Sequence, residues 1–370
     1  MKICTITCHD VYNHGASMQA YALMTYLTKL GHKVEIIDYK PDYLSNHYNM
    51  MSIGNLKWKK NILTKYIYLT LKMPGRIISL QRKKAFDIFK ENNLVITKKR
   101  YKSNEELKEC LPEADVYICG SDQIWNSLHQ NGKDPAFYLD FVPDNKIKVS
   151  YAASFATETI DDKYKAMVNE KVSRLDRVGI REKSGVKIVK DLGIKNVVNV
   201  VDPVFLLDKE DWDKIGTEVF RDKYVLVYDF DKSNLVERIA MDIAKKKGCK
   251  IYTINSDKPK YADKHFNLSG PSTFVSLIKN AQFVISNSFH AVAFSIIYNK
   301  NIAIVNRTEN INTRMRDLLD DLHLNHKLVG DNYNIEEVMI DINYKNCKDI
   351  LQNKVIKSKD YIDEVLCIKK

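Results

Sequence analysis

The sequence predicts an α/β protein of two domains, each a parallel sheet flanked by helices, with the two sheets facing one cleft. Three observations lead there. Residues 2–38 read as strand, helix, strand; the same alternation restarts at residue 224; and Asp202-Pro203 interrupts the pattern between them. A length of 370 residues exceeds one small core, and 45% hydrophobic residues supply material for two. The expected domains are residues 1–208, with a basic helical insertion near 45–100, and residues 209–370, ending in helices.

The elements follow from local pattern. Residues 2–7 alternate like a strand, 9–16 form a polar turn, and 17–30 form a helix with Met18, Tyr21, Ala22 and Leu27 on one side, closed by Gly31. Residues 33–38 are the next strand, completing a Rossmann-like β-α-β unit. After the insertion come a helix (104–110), strands at 114–119 and 148–153, a helix (160–175), and short strands at 177–180 and 197–201 around a helix at 185–192. Residues 210–217 read as a linker or short helix. The second domain runs strand 224–228, helix 235–247 stopped by Gly248, strand 250–253 and helix 272–280. A strand (283–285), a turn, a helix (290–298) and a strand (302–305) come next, then helices at 313–322 and within 348–366.

Charge is placed unevenly. Residues 56–90 hold ten basic residues against one acid, Asp87, so this stretch carries nine of the eleven net positive charges. Its lysines and arginines interleave with apolar residues, which suits an anionic membrane surface or a phosphate-bearing partner, or else a solvated helical face. The seven cysteines form no CxxC pair and are expected to be reduced thiols, and no metal site is expected. The opening residues turn polar too soon for a signal peptide, and no run of about 18 apolar residues spans a bilayer. A cytoplasmic protein is expected, peripheral on the inner membrane face if the basic segment binds lipid.

In open parallel sheets the loops after strands enclose the ligand crevice, and four such loops here are rich in polar residues. The first holds Gly15, where backbone can approach a ligand, Ser17, which can cap, and Gln19. The second, Gly120-Ser121-Asp122-Gln123-Ile124-Trp125-Asn126, offers a carboxylate, amides and an indole face suited to a polyhydroxylated substrate. A turn anchored by its tryptophan reads equally well. The third sets Arg181 at a strand end and Lys183 at a helix start, a pairing suited to carboxylate or phosphate, with an Arg181–Glu182 structural pair as the rival reading. The fourth is Asn287, Ser288 and His290 at a helix start, with Arg307 after the next strand. A histidine there can move a proton beside a bound anion, or it can simply pack. Dinucleotide, Walker A, HExxH and nucleophile-elbow motifs are absent.

Together these segments resemble the polysaccharide pyruvyl transferase family. The likeness rests, in order, on residues 13–23, Gly120-Ser121-Asp122-Gln123-Ile124-Trp125-Asn126, Ser150-Tyr151-Ala152-Ala153-Ser154-Phe155, Arg181-Glu182-Lys183-Ser184-Gly185, Asp202-Pro203-Val204 and Ser288-Phe289-His290. It implies a two-domain fold like GT-B glycosyltransferases and transfer of a group from phosphoenolpyruvate onto a sugar as a cyclic ketal. The acceptor would be a sugar or lipid-linked oligosaccharide, a surface-polysaccharide precursor, and phosphoenolpyruvate would be the co-substrate without metal or nucleotide cofactor. The family's Arg-Leu-His motif puts its histidine at His290 and its arginine at Ser288, a departure for which Lys183, Arg307 or Arg314 could substitute. The family's first-domain arginine matches Arg181. His290 and Asp122 are the expected acid and base, in either order. The substrate-binding residues are then expected to be Arg181, Lys183, Ser288, Asn287, Gly15, Ser17, Gln19, Ser121, Gln123, Trp125, Asn126 and Arg307. A nucleotide-sugar glycosyltransferase is the rival enzyme reading. A non-catalytic membrane-surface or nucleic-acid-binding protein is the third, with few base-stacking aromatics in the basic segment arguing against nucleic acid.

Overall fold

The computed structural model describes residues 1–45, 48, 61–309 and 311–369, so Lys57, Lys59 and Lys60 of the basic segment lie outside the described residues. The first sheet contains β1 (Lys2–Ile6), β2 (Lys33–Tyr39), β3 (Ile96–Tyr101), β4 (Val116–Cys119), β5 (Ile147–Ala153), β6 (Arg177–Ile180) and β7 (Val197–Asn199). Its order is β3-β2-β1-β4-β5-β6-β7, with every pairing parallel. The second contains β8 (Tyr224–Tyr228), β9 (Lys250–Thr253), β10 (Lys264–His265), β11 (Phe283–Ser286) and β12 (Ile302–Ile304), ordered β10-β9-β8-β11-β12 and again parallel throughout. Every residue of β5 and β8 is buried, as expected of strands covered on both faces. The two parallel α/β domains read from the sequence are therefore present.

Strand order reverses between β1 and β4 in one sheet and between β8 and β11 in the other. The chain leaves these neighbouring strands in opposite directions, opening a crevice at their carboxyl ends. Both crevices meet in one cleft. Asn13 follows β1 and Asp122 follows β4; Phe230 follows β8 and Ser288 follows β11.

An apolar cluster runs beneath the cleft through both domains. Met18 and Leu23 of helix His14–Lys29 join Trp212, Phe274 and Phe294 in it. The Trp212 ring lies 4.7 Å from Phe294 and 5.6 Å from Tyr21, centroid to centroid. Burial of this kind, at roughly 25 cal/mol per Å² of apolar surface, holds the two halves together.

The structure departs from the sequence reading in several places. The first helix begins at His14 rather than residue 17, because the Asn13 side chain, not Ser17, caps it by accepting the Ala16 N–H at 3.2 Å. The insertion read at 45–100 ends in β3, whose Lys98, Lys99 and Arg100 give an edge strand the look of a charged loop. The two-residue β10 also went unread. Of the two readings of residues 210–217, linker or short helix, the structure shows the short helix, Lys209–Asp213, capped by Asp208. The final helix, Tyr344–Leu366, was assigned to the second domain by sequence order. It also packs on the first sheet, where Tyr361 donates to the Ser150 carbonyl at 2.8 Å and Ser358 Oγ accepts the Val201 N–H at 2.9 Å.

Candidate functional site

His290 stands in the first turn of the nine-residue helix Phe289–Ile297, whose first residues line the cleft. Ser288 is its N-cap, and the Ser288 N–H donates to Ser286 Oγ at 3.0 Å. Asn287 ties the β8 and β11 loops together: its Nδ2 donates to Asp229 at 2.6 Å and its Oδ1 accepts the Phe230 N–H at 3.0 Å. The turn that aims this helix start is thus fixed from both strands.

The imidazole has two close neighbours. Its Nε2 lies 3.5 Å from Asp202 Oδ2, and its Nδ1 lies over Gly15, where a Cβ would come within 2.0 Å. Gly15 was read as a point of backbone approach to ligand; what it admits is the histidine ring. Burial alone would raise the Asp202 carboxyl, but His290 and Arg181 outweigh it and hold the group below the usual carboxylate range. Asp202 is therefore a fixed negative charge beside the ring.

Around this pair lies an ion network. Arg181 is ion-paired with Asp202 through Nη1 and reaches Asp122 Oδ1 through Nη2 at 3.3 Å. Arg314, from helix Thr313–Asp321, meets the same Asp122 oxygen at 3.3 Å. The two guanidinium carbons sit 5.1 and 5.7 Å from the centroid of the Phe289 ring, which carries both as a cation–π platform. The Nε atoms of Arg181 and Arg314 are buried without partners. Burial, aided by the charge of Arg181, pushes Arg314 down to about 10, so it remains protonated at neutral pH. Burial works to raise Asp122, yet Arg181, Arg314 and His290 draw it below its ordinary value. A carboxylate so held is a poor base. His290 and Asp122, the expected acid and base, both line the cleft, but the carboxylate beside the imidazole is Asp202, and Asp122 is clasped between two arginines.

The cleft has a volume of about 120 Å³ and is lined by Asn13, Asp122 and Gln123 from the first domain and by Asn287, Ser288, His290, Arg307 and Arg314 from the second. Phe289 and Arg314 separate it from a smaller hollow of about 40 Å³ that reaches Arg181 and Lys183. Arg307 is engaged at the rim by Asp231 at 2.9 Å and Glu309 at 3.2 Å.

Other residues expected at the site serve it from behind. Gln19 is buried; its Nε2 donates to Thr7 Oγ1 at 3.0 Å and its Oε1 accepts the Ser121 N–H at 3.1 Å. Thr7 Oγ1 donates to the Ser121 carbonyl at 2.8 Å, and Ser121 Oγ donates to the Ala152 carbonyl at 3.0 Å. This clamp fixes the loop whose next residue, Asp122, adopts a φ of +74°. Gly120, at φ +122°, leaves space for the Tyr151 carbonyl, which a Cβ would meet at 2.1 Å.

Trp125 is fully buried, donates Nε1–H to the Phe137 carbonyl at 2.9 Å and stacks on Tyr138, so it has no face to offer a sugar. Asn126 is equally buried and bonds Gln123 and the Leu128 N–H. Ser17 is buried in the first helix. Lys183 pairs with Asp321 outside the main cleft. Glu182 does not pair with Arg181 in the manner of the rival reading; its Oε1 accepts the N–H groups of Phe155 and Ala156 at 2.8 and 3.1 Å.

A family model for polysaccharide pyruvyl transferase matches residues 13–308, a span that includes Asn13, Gly15, Asp122, Arg181, Asp202 and His290. The chain belongs to that family. Membership makes it a pyruvyl transferase family enzyme with a polysaccharide-related acceptor. Comparison with curated proteins gives no match. Among solved structures, a Listeria monocytogenes protein described as a UDP-N-acetylglucosamine 2-epimerase aligns over 97% of this chain and 89% of its own, at 11% identity and a TM-score of 0.51. Arabidopsis thaliana UGT89C1, complexed with UDP-L-rhamnose, aligns over 99% of each chain at 8% identity and a TM-score of 0.51. At these identities the likeness is one of fold, the GT-B arrangement of two facing parallel-sheet domains.

Sequence patterns give Asp202 and Phe289 no role in this cleft and leave Arg314 as one of three substitutes. Asp202 was read as the residue leaving the first domain. Its signal was the aspartate before Pro203, at a strand end, where a side chain is held rigidly at the sheet's edge.

Proposed function

We propose that the cleft binds phosphoenolpyruvate and transfers its pyruvyl unit to two hydroxyls of one sugar on a surface-polysaccharide precursor, forming a cyclic ketal and releasing phosphate. The observation that carries this reading is the meeting of Arg314 and His290 at a helix start. A charged guanidinium with an unpartnered Nε stands near a helix start and a histidine 3.5 Å from a carboxylate. Phosphoenolpyruvate carries a phosphate and a carboxylate, and both need such donors. Arg314 is the guanidinium that stands in for the arginine missing at Ser288; Lys183, tied to Asp321, does not face the main cleft.

The chemistry uses these groups in turn. An anion of the donor displaces Asp122 from Arg314. Imidazolium His290 gives its proton to C3 of the enol double bond, and the electron deficiency passes to C2. A sugar hydroxyl oxygen bonds to C2, and its proton goes to the now neutral His290. The bond from C2 to the phosphate oxygen then breaks, and the electron pair leaves with phosphate. The second hydroxyl oxygen closes the ring at C2, and its proton leaves with the phosphate. Asp202 stays 3.5 Å from the His290 ring as it gives and takes the proton.

Thermal shift of the full chain with phosphoenolpyruvate, and separately with UDP-sugars, tests the donor. A ligand that binds only the folded protein raises the melting temperature, by about 2.7 kcal/mol of stabilisation at a hundredfold excess over Kd. A rise with phosphoenolpyruvate that Arg314→Gln abolishes supports the reading. A rise only with a UDP-sugar overturns it in favour of glycosyl transfer.

A further inference from the structure

We propose that the exposed half of helix Ile62–Asn93 docks the protein on an anionic lipid surface. The helix has two unlike stretches, one up to Leu80 that includes Pro74 and Gly75, and one from Arg82 onward. From Arg82 onward it is fastened to the body: Arg82 donates to the carbonyls of Asn267 at 3.1 Å and Tyr12 at 3.3 Å, and Lys90 pairs with Asp10 at 3.1 Å. Phe86 and Phe89 on this half are buried.

The other half turns large apolar side chains outward. Leu71 is 70% exposed, Ile77 55%, Ile78 52% and Ile67 43%. Ile67, Leu71 and Ile78, spaced by four and seven residues, share one face of the helix. A helix face that only meets water carries charged and polar residues there instead. Exposed Lys72 lies within this stretch and exposed Lys84 just beyond it, and residues 61–86 contain no acid.

Aliphatic side chains flanked by basic ones, with no acidic residue to repel phosphate, match a bilayer of anionic lipid. The isoleucines and leucine enter the headgroup boundary while the lysines meet headgroup phosphates. No helix among the described residues is long and apolar enough to cross a membrane, so the contact is peripheral. The fastening of Arg82 to Tyr12, next to the cleft residue Asn13, puts the docked face beside the cleft. The inference does not depend on the chemistry proposed for the cleft.

The test is co-sedimentation of the full chain with vesicles of phosphatidylcholine alone or mixed with phosphatidylglycerol, at low and high salt. Binding to the anionic vesicles at low salt, falling as salt rises, is the expected result. Lys72→Gln with Lys84→Gln should weaken it about 25-fold, at roughly fivefold for each basic residue near such a surface. Leu71→Ser with Ile78→Ser should weaken it at least tenfold, since two large aliphatic groups no longer leave water. Both pairs should leave the melting temperature unchanged, because the replaced side chains are exposed. No binding to anionic vesicles at low salt overturns the proposal, and so does binding that neither pair of substitutions changes. Two lipid-free results also overturn it: self-association that Leu71→Ser with Ile78→Ser dissolves, or retention on duplex DNA without vesicle binding.

Discussion

Gly15→Ala is the smallest change expected to disable the site. The new Cβ would lie 2.0 Å from His290 Nδ1, 2.4 Å from Cγ and 2.6 Å from Cε1. Ordinary contacts between such atoms are about 3.5 Å or more, so the ring must retreat by roughly 1.5 Å. A displacement of about 1 Å at a reacting group costs on the order of a hundredfold in rate. The backbone itself tolerates the change, since alanine in a helix is favoured over glycine by up to about 1 kcal/mol. Phosphate release from phosphoenolpyruvate with acceptor present should therefore fall about 100-fold or more, while the melting temperature moves by only a few degrees. The double variant Gly15→Ala with His290→Ala should be no worse than His290→Ala alone, because both act through one ring. Retention of more than half the wild-type rate in Gly15→Ala would refute the reasoning: either the imidazole is not used where it stands, or its position is not critical.

His290→Ala should lower turnover by roughly two to four orders of magnitude, the usual worth of one positioned proton donor, with unchanged circular dichroism. Arg314→Lys keeps the charge and loses the fork, so KM for phosphoenolpyruvate should rise about tenfold or more with kcat nearly held; equal falls in kcat and kcat/KM would assign it another role. Trp125→Phe removes a buried N–H from the Phe137 carbonyl and should cost about 1–3 kcal/mol in chemical denaturation without altering KM for the sugar. Asp10 gives a pH signature: burial would raise its carboxyl, but Lys40 and Lys90 outweigh that and lower it to about 2. The unfolded chain then takes up this proton first, so the stability Asp10 contributes, about 2 kcal/mol, is complete above about pH 4 and lost as pH falls toward 2. Asp10→Asn should show a matching deficit at pH 7 that closes over that window.

The fold was legible where burial is written as runs of apolar residues. β8 and β11 are such runs, and their spacing with helices leaves little but parallel sheets. β3 was not legible, because edge exposure lets Lys98, Lys99 and Arg100 occupy a strand. Within the site, His290 and Arg181 could be named because they follow strands at polar turns. What could not be read is which partner each would find. Asp202 lies 88 residues from His290 in the chain, and Asp122 lies 192 residues from Arg314. Such pairings are set by how two domains meet, and they decide that Asp122 is clasped by arginines while Asp202 faces the histidine. Trp125 shows the converse: an indole among polar residues reads as a sugar platform until its burial against Tyr138 is known.

The most direct measurement is transfer itself. The purified chain is incubated with phosphoenolpyruvate and a lysate of its own cell's polysaccharide precursors, and free phosphate and the masses of the glycans are followed together. The account predicts one phosphate released for each pyruvyl ketal gained by the glycan, with both signals lost in His290→Ala. Release of phosphate with no pyruvyl gain, or a hexose gain supported by a nucleotide sugar and not by phosphoenolpyruvate, would contradict it.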